Sequence, residues 1–490
     1  VKVVLANPPA VYELVGNDPV IIKEQQGTYP PLGLLSIAGY LLKHTDHDVK
    51  VLDAQVENWN HEELAQKVTD LNPEVVGITT MTFTIIDCKI FITKLKERCP
   101  AIVVVGGPHV AIYPEESLLL GADYSVVGEG ELTFKKLLED IALGKAKNRV
   151  YRQNEFIKDL DEIPFPAREL TPINKYYSVL AEQTPTTTAF SSRGCPYQCI
   201  FCDRPALGKD FRAQSAKRVV DEMQWCEKKG IKEIFFYDDT FTIGRKRVQE
   251  ICSEYERRNL TIRWDIRARV NTVDKEIIRS LKRCNVTRIH FGVESASTRI
   301  LKEIRKGITP EQVYRAFEDC QQNGIKTLAY FMMGNPTETL EDIKESLKMA
   351  KTIKADFMQM TILSLFPGTQ IYDMARKEGL VQGDPWRDYV KDPKIDFRPP
   401  MWEAIYSKEE HEEHLRWFYK HFYLRPKFLF DRLLEIRNPG QFKRYFSAGF
   451  SLVRMALQKE SKVKIASDTI NKIHKMDSGA PISVPCETLD

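Results

Sequence analysis

The 490-residue chain has no uninterrupted apolar run of about 18 residues, the length a helix needs to cross a bilayer. It has almost no charge bias. Lys and Arg number 71 against 68 Asp and Glu, a net charge of +3, which argues against nucleic acid as the main partner. Cysteine is sparse, at ten residues, which excludes the density of a secreted disulfide scaffold. Internal repeats and low-complexity tracts are absent. The opening stretch, Val1 to Pro9, lacks the basic flank, long apolar core and small-residue cleavage site of a signal peptide and reads as a short buried strand. A reducing cytoplasm is the expected compartment. What is present is an ordinary globular balance, 43% hydrophobic and 28% charged, over a length that suggests about three domains.

Two blocks alternate strand and helix patterns. In residues 1–145, short β-branched runs at 1–5, 49–52, 75–79, 102–106 and 124–127 are separated by helical patterns at 34–43, 61–71, 86–98 and 115–120. Continuous apolar strands between amphipathic helices predict a parallel sheet covered on both faces, an open doubly wound α/β domain. Such domains bind ligands beyond the carboxyl ends of their strands. A Pro-containing linker over 146–185 follows. A second series over 186–365 places strands at 187–191, 233–237, 262–266, 287–291, 327–332 and 357–361, with helices between them. Gly230 and Gly324 stand where left-handed C-caps are wanted. Six βα units suit a partial barrel, whose chemistry sits at the carboxyl ends of its strands. Residues 366–460 are read as a mainly helical, basic and aromatic region, and 461–490 as a mobile tail.

The strongest signal is Ser192-Arg-Gly-Cys195-Pro-Tyr-Gln-Cys199-Ile-Phe-Cys202-Asp, on the loop after the first barrel strand. Three thiolates can converge on one inorganic cluster. A tetrahedral zinc would want a fourth ligand at short spacing, and the next cysteine, Cys226, lies inside a helical pattern. A [4Fe–4S] cluster normally takes four thiolates, so three leave one iron open to a small molecule. A structural zinc or three unrelated thiols is the rival reading. The other cysteines show no second cluster spacing, and Cys252, Cys284 and Cys320 read as small core residues.

The CxxxCxxC spacing, with an aromatic before its last cysteine, resembles the radical S-adenosylmethionine (SAM) superfamily. That resemblance implies an open iron that chelates the amino and carboxylate groups of SAM, and a 5′-deoxyadenosyl radical formed by reductive cleavage. It also implies SAM contacts at successive strand ends. These are Phe201 by its backbone at adenine, Asp238 and Asp239 at the amino group, and Arg267 or Arg269 at the carboxylate. Glu294 and Ser295 fall near the ribose or methionine part, and Asn335 and Pro336 in the turn beside adenine. Taken singly, each of these is as well explained by turn chemistry or a surface ion pair. Their joint placement carries the reading.

The first block resembles the cobalamin-binding domain found ahead of many radical SAM barrels. The residues concerned are Asn7-Pro8-Pro9, Tyr29-Pro-Pro-Leu-Gly33, Asp53-Ala54, Gly106-Gly107-Pro-His109 and Gly128-Glu129-Gly130-Glu131. The resemblance implies a corrinoid cradle of Asn7, Pro8, Thr79, Thr80, Gly106, Gly107, His109, Gly128, Glu129 and Gly130. His109 is equally well read as a capping residue. Asp53 is followed by Ala-Gln-Val-Glu, so the Asp-x-His-x-x-Gly sequence that would put a histidine on cobalt is absent. Base-off cobalamin without a protein histidine ligand is therefore expected, and a domain that has lost cobalamin remains an alternative.

Between Arg416 and Arg454 stand nine Lys or Arg, two acidic residues and eleven aromatics. Helices of this kind can lie on an anionic membrane or close over an apolar substrate, and packing on the barrel is the favoured reading. Nothing resembles an RNA-binding module. The resemblance thus implies a cobalamin-dependent radical SAM enzyme that methylates an unactivated carbon, with an external electron donor. The alternatives are a cyclase or carbon–carbon coupling enzyme of the anaerobic magnesium-protoporphyrin ester cyclase type, and a corrinoid carrier or sensor. Lipid, isoprenoid and tetrapyrrole are the expected substrate classes.

Overall fold

The structure is a computed structural model that describes residues 1–14, 27–153, 155–203, 208–426, 428 and 430. Its strands, in chain order, are β1 (Lys2–Asn7), β2 (Gly27–Thr28), β3 (Asp48–Asp53), β4 (Val75–Thr79), β5 (Ile102–Gly106), β6 (Tyr124–Val127), β7 (Val150–Arg152) and β8 (Tyr177–Ser178). They continue with β9 (Thr186–Ala189), β10 (Ser192–Arg193), β11 (Arg212–Ala213), β12 (Glu233–Phe236), β13 (Arg263–Ala268), β14 (Val286–Glu294), β15 (Lys326–Met333) and β16 (Phe357–Ile362).

The first sheet is parallel, in the order β3-β1-β4-β5-β6-β7. Alternate residues of its β-branched runs are buried on opposite faces. Val3, Leu5, Val75, Val104 and Val126 pack against the helices Leu32–His44 and Gly130–Ala142 through Leu35 and Phe134. Val4, Ala6, Val76, Ile78 and Val105 pack against His61–Asp70 and Ile85–Lys96 through Leu64, Phe91 and Ile92. Asn60 and Glu63 close a capping box at the start of His61–Asp70. The sixth strand, β7, lies in the stretch expected to be linker. The helix Gly130–Ala142 was not anticipated, because its glycine-rich start reads as a loop.

The second sheet has the order β16-β15-β14-β13-β12-β9, all parallel, with helices between successive strands. One face is covered by these helices. Ile234, Phe236, Trp264, Ile266, Ile289, Phe291 and Phe331 all enter one core with helix residues such as Met223, Val248, Ile278 and Phe317. The opposite, inner face is mixed, with Arg263, Asp265, Arg267, Arg288 and His290 beside Phe235, Leu328 and Met332. Gly230 and Gly324 have positive φ, as the C-cap reading requires.

Beyond the barrel the chain returns to the first domain. The helices Gln370–Lys377 and Pro385–Lys391 put Ile371, Tyr372, Trp386 and Tyr389 into the same core as Phe91 and Ile92. The helix Lys408–Tyr423, capped by Ser407 and Glu410, packs Leu415, Phe418, Tyr419 and Phe422 onto the barrel core. Tyr419 and Tyr423 hydrogen-bond the backbone of β16 at Met360 and Met358. The aromatic helix therefore packs on the barrel as far as Tyr423. The rest of the basic stretch, from 431 to 454, lies outside the described residues.

Trp264 is fully buried on β13 and touches Phe236, Phe241 and Tyr255 by ring contacts. Trp264→Ala is expected to destabilise the protein by about 3–5 kcal/mol, read as a shift in the denaturant midpoint.

Candidate functional site

The cysteine loop opens from the short antiparallel pair β10–β11, immediately after β9. Cys195 and Cys199 are buried and Cys202 is exposed. Arg269, just past the end of β13, lies on this loop. Its Nη1 donates to Cys199 Sγ at 3.6 Å, and its guanidinium stands 3.8 Å from the centre of the Tyr197 ring. Arg269 also donates to the carbonyl of Lys306. A guanidinium at a buried thiolate offsets negative charge that burial would otherwise penalise. Among the described residues no three side chains converge as a site for a single ion. A cube puts each of three thiolates on a different iron, so its ligands need no such convergence, and the all-sulfur donor set suits iron–sulfur chemistry.

The strand ends group unequally around the loop. Glu294 sits at an irregularity of β14 with φ 65° and pairs with Lys306 Nζ at 2.6 Å. Lys306 Nζ in turn stands 5.8 Å from the Phe201 ring centre. Phe201, Glu294, Lys306 and Arg269 thus gather on one side of the triplet. Ser295 accepts from the Ser297 backbone N–H at 3.2 Å. Asn335 Nδ2 donates to Glu338, whose carboxylate also accepts the Gly334 N–H, while Asn335 Oδ1 is buried with no partner among the described residues; Pro336 beside it is buried. Burial pushes the Glu338 carboxyl up to about 7.

Asp238 has its carboxylate taken up by protein partners. It is fully buried, and its carboxylate accepts the Ser191 N–H at 2.7 Å and both the Ser191 and Ser192 hydroxyls. It braces the approach to the cysteines, and its neighbour Asp239 is the exposed one. Arg267 stacks 3.9 Å from the centre of the Tyr237 ring.

A cavity of about 440 Å³ opens at the carboxyl ends of the first sheet, lined by Thr79, Gly106, Gly107, Gly128, Glu129 and Gly130 among others. Its deeper walls are apolar, with Leu5, Val104, Val126 and Phe134. Gly107 has φ 114°, and a Cβ there would stand 2.8 Å from the Thr80 carbonyl oxygen. A deep apolar slot with glycines at its rim fits the nucleotide tail of a corrinoid. The remaining candidates stand elsewhere. Asn7 donates to Asp53 at 2.7 Å, and Asp53 also accepts from Tyr176 at 2.8 Å, so Asn7 is engaged with the protein and Pro8 adjoins it. Thr80 and His109 are fully buried behind Gly107. His109 Nδ1 meets Thr82 Oγ1 at 3.0 Å, its Nε2 has no partner among the described residues, and burial pulls its pKa down to about 4.

Glu129 lines the cavity, but its carboxylate is held by protein. It pairs with Arg193 at 2.8 Å and Arg212 at 2.9 Å and accepts the Ile157 N–H at 2.7 Å. Glu131 binds Arg193 at 2.6 Å and the Ser36 hydroxyl at 2.7 Å. Burial alone would raise the Glu131 carboxyl, and the Arg193 guanidinium more than offsets this, holding it below the usual carboxylate range. Arg193 and Arg212 belong to β10 and β11, so these pairs fasten the cavity rim to the base of the cysteine loop. Sequence reasoning passed over Arg193, Arg212, Tyr197 and Lys306. Arg193 and Tyr197 stood inside the cysteine motif, and Arg212 and Lys306 in no noticed motif.

A family profile described as the Radical SAM superfamily matches residues 190–350, and one described as the B12 binding domain matches residues 19–138. An uncharacterized methyltransferase of Pyrococcus horikoshii is 34% identical over 456 residues, covering 89% of this chain and 95% of the relative. The chain belongs to the radical SAM enzymes that carry a cobalamin-binding domain. Its cofactors are therefore a [4Fe–4S] cluster, SAM and cobalamin. The anaerobic magnesium-protoporphyrin IX monomethyl ester cyclase of Rubrivivax gelatinosus is 29% identical over 374 residues, 71% of this chain and 67% of the relative. In fold, the radical SAM methyltransferase TsrM of Kitasatospora setae, solved with tryptophan and a SAM analogue, superposes with a TM-score of 0.68 at 17% identity, covering 97% of this chain and 99% of that one. No helix among the described residues is long and apolar enough to cross a membrane.

Two outcomes are expected. Gly107→Ala in the enzyme lowers cobalamin retained after gel filtration, while iron–sulfur absorbance stays at the wild-type level. Glu129→Gln leaves Arg193 and Arg212 facing an uncharged amide and costs about 3–5 kcal/mol in chemical denaturation.

Proposed function

We propose that this radical SAM enzyme transfers a methyl group to an unactivated carbon of a small-molecule substrate, with an external reductant as its electron source. When bound, the cluster with SAM supplies hydrogen-atom abstraction, and cobalamin supplies the methyl group. Cys195, Cys199 and Cys202 hold the cluster, with Arg269 beside Cys199 Sγ. Phe201, Glu294 and the Lys306 ammonium, which group beside the loop, would hold the SAM nucleoside. Thr79, Gly106, Gly107 and Gly128 form the corrinoid rim. The observation that carries this reading is the set of ion pairs from Glu129 and Glu131 to Arg193 and Arg212. It ties the corrinoid rim to the cluster loop and keeps the two cofactor sites at a fixed separation, as a substrate handled by both requires.

Ring formation without methyl transfer is the second reading, favoured by the cyclase relatives. Other relatives are named for acting on bacteriochlorophyllide d, cytidylyl-2-hydroxyethylphosphonate and hopanoids, so the names span anionic and neutral molecules. A corrinoid carrier would have no use for the three thiols.

The test uses anaerobically reconstituted enzyme with SAM labelled in its methyl carbon. Methylation puts label into product and yields 5′-deoxyadenosine. Unlabelled product with 5′-deoxyadenosine indicates cyclisation or coupling. Cys199→Ala is expected to lose iron–sulfur absorbance and to reduce 5′-deoxyadenosine formation by at least 100-fold.

A further inference from the structure

The inner face of the barrel sheet carries charged side chains. Along β13, Trp264, Ile266 and Ala268 enter the helix-covered core, so Arg263, Asp265 and Arg267 point to the opposite face. By the same alternation β14 contributes Arg288 and His290, and β15 contributes Tyr330. Tyr237 follows β12, and Tyr29 arrives from the first domain, its ring edge-on to Phe235 and Tyr237.

Three of the four strand cations on this face have carboxylate partners. Arg263 and Lys326 share Glu182, and Arg288 reaches Asp265 at 3.4 Å. The same oxygen of Asp265 receives His290 Nε2 at 3.2 Å. Arg267 is the exception. Half-buried, its guanidinium lies over the Tyr237 ring and makes no ion pair or side-chain hydrogen bond among the described residues. A guanidinium withdrawn from water in this way lacks the compensation that buried charges otherwise have.

Its position is informative. Arg269, two residues further along extended backbone, touches the cluster-ligating Cys199. Residues i and i+2 share a face, so Arg267 lies roughly 7 Å further back along the strand on the same side. Tyr330 is held beside it, its hydroxyl 2.9 Å from His290 Nδ1. With Nε2 against a carboxylate, that ring carries its proton on Nε2, and Nδ1 accepts the Tyr330 O–H.

We propose that Arg267, planed on Tyr237 and flanked by Tyr29 and Tyr330, binds a carboxylate or phosphoryl group of the substrate on the inner face of the barrel, so that the substrate is an anion rather than a neutral isoprenoid. The fork of N–H donors suits either oxyanion. The assignment rests on the radical SAM reading of the adjacent loop, and it moves Arg267 from the SAM carboxylate, where the family resemblance had put it, to the substrate.

The test measures equilibrium binding to reconstituted holoenzyme holding SAM, with two matched probe pairs. Coproporphyrin III against its tetramethyl ester reports a carboxylate, and farnesyl diphosphate against farnesol reports a phosphoryl group. At least one anionic probe is expected to bind tenfold or more tightly than its neutral partner. That preference should fall to within twofold in Arg267→Gln and survive in part in Arg267→Lys. SAM affinity should change by less than twofold in both variants. Equal or tighter binding of the neutral probes, or no binding of either anion, overturns the proposal on the wild-type protein alone, whatever the variants do. A preference that persists in Arg267→Gln, or a loss of SAM affinity there, overturns it as well. Absence of 5′-deoxyadenosine formation by the wild type would instead overturn the radical reading, which the binding ratios do not depend on.

Discussion

Two carboxylates at the end of β6, Glu129 and Glu131, are almost completely removed from water. A buried carboxylate without compensation is too costly to persist, and the compensation comes from Arg193 and Arg212, which flank the cysteine loop in sequence. The arrangement of the two domains follows from that requirement. Neither arginine can leave without stranding a charge, so the cavity rim of the first sheet and the base of the loop after β9 behave as one body. Two cofactors that act on one carbon need a separation fixed to a fraction of an ångström, and a joint made of buried ion pairs is stiffer than a linker.

A second joint closes the assembly from the other side. The chain leaves β16 and lays Trp386, Tyr389 and Phe397 together in an aromatic cluster against the first domain. Tyr113 and Tyr372 both donate to Asp384, at 2.8 and 2.9 Å, which ties the first domain to this returning segment. The barrel is therefore held at its entry by charge and at its exit by apolar and aromatic packing. The first domain is not a separable module, because part of its core is built by residues that follow the barrel by sequence.

Much of this was legible beforehand, and the limits are physical. Strands such as Val75–Thr79 and Ile102–Gly106 were readable to the residue, because β-branched runs buried on both faces leave an unbroken apolar signature. The cysteine triplet was readable because metal-ligand spacing is local. The helix Gly130–Ala142 was missed because Gly128 and Gly130 obscure its start, and β7 because three edge residues carry too little pattern. Glu129 and Asp238 were expected at ligands, and the structure shows their carboxylates held by Arg193 and Ser191, 64 and 47 residues away, pairs that no local pattern announces.

The same logic separates the two arginines of the Arg267-Ala-Arg269 run, which sequence could only treat as equivalent. Strand alternation gives both the same face, so identity and spacing cannot tell them apart. What tells them apart is which charges are already balanced. Arg269 meets Cys199 Sγ and the Lys306 carbonyl, whereas Asp265, on the same strand face as Arg267, is shared between Arg288 and His290. A face that pairs each of its other strand cations and stacks the remaining one on a phenol ring has its recognition chemistry set by the pairing of charges in the fold, and no single motif contains that information.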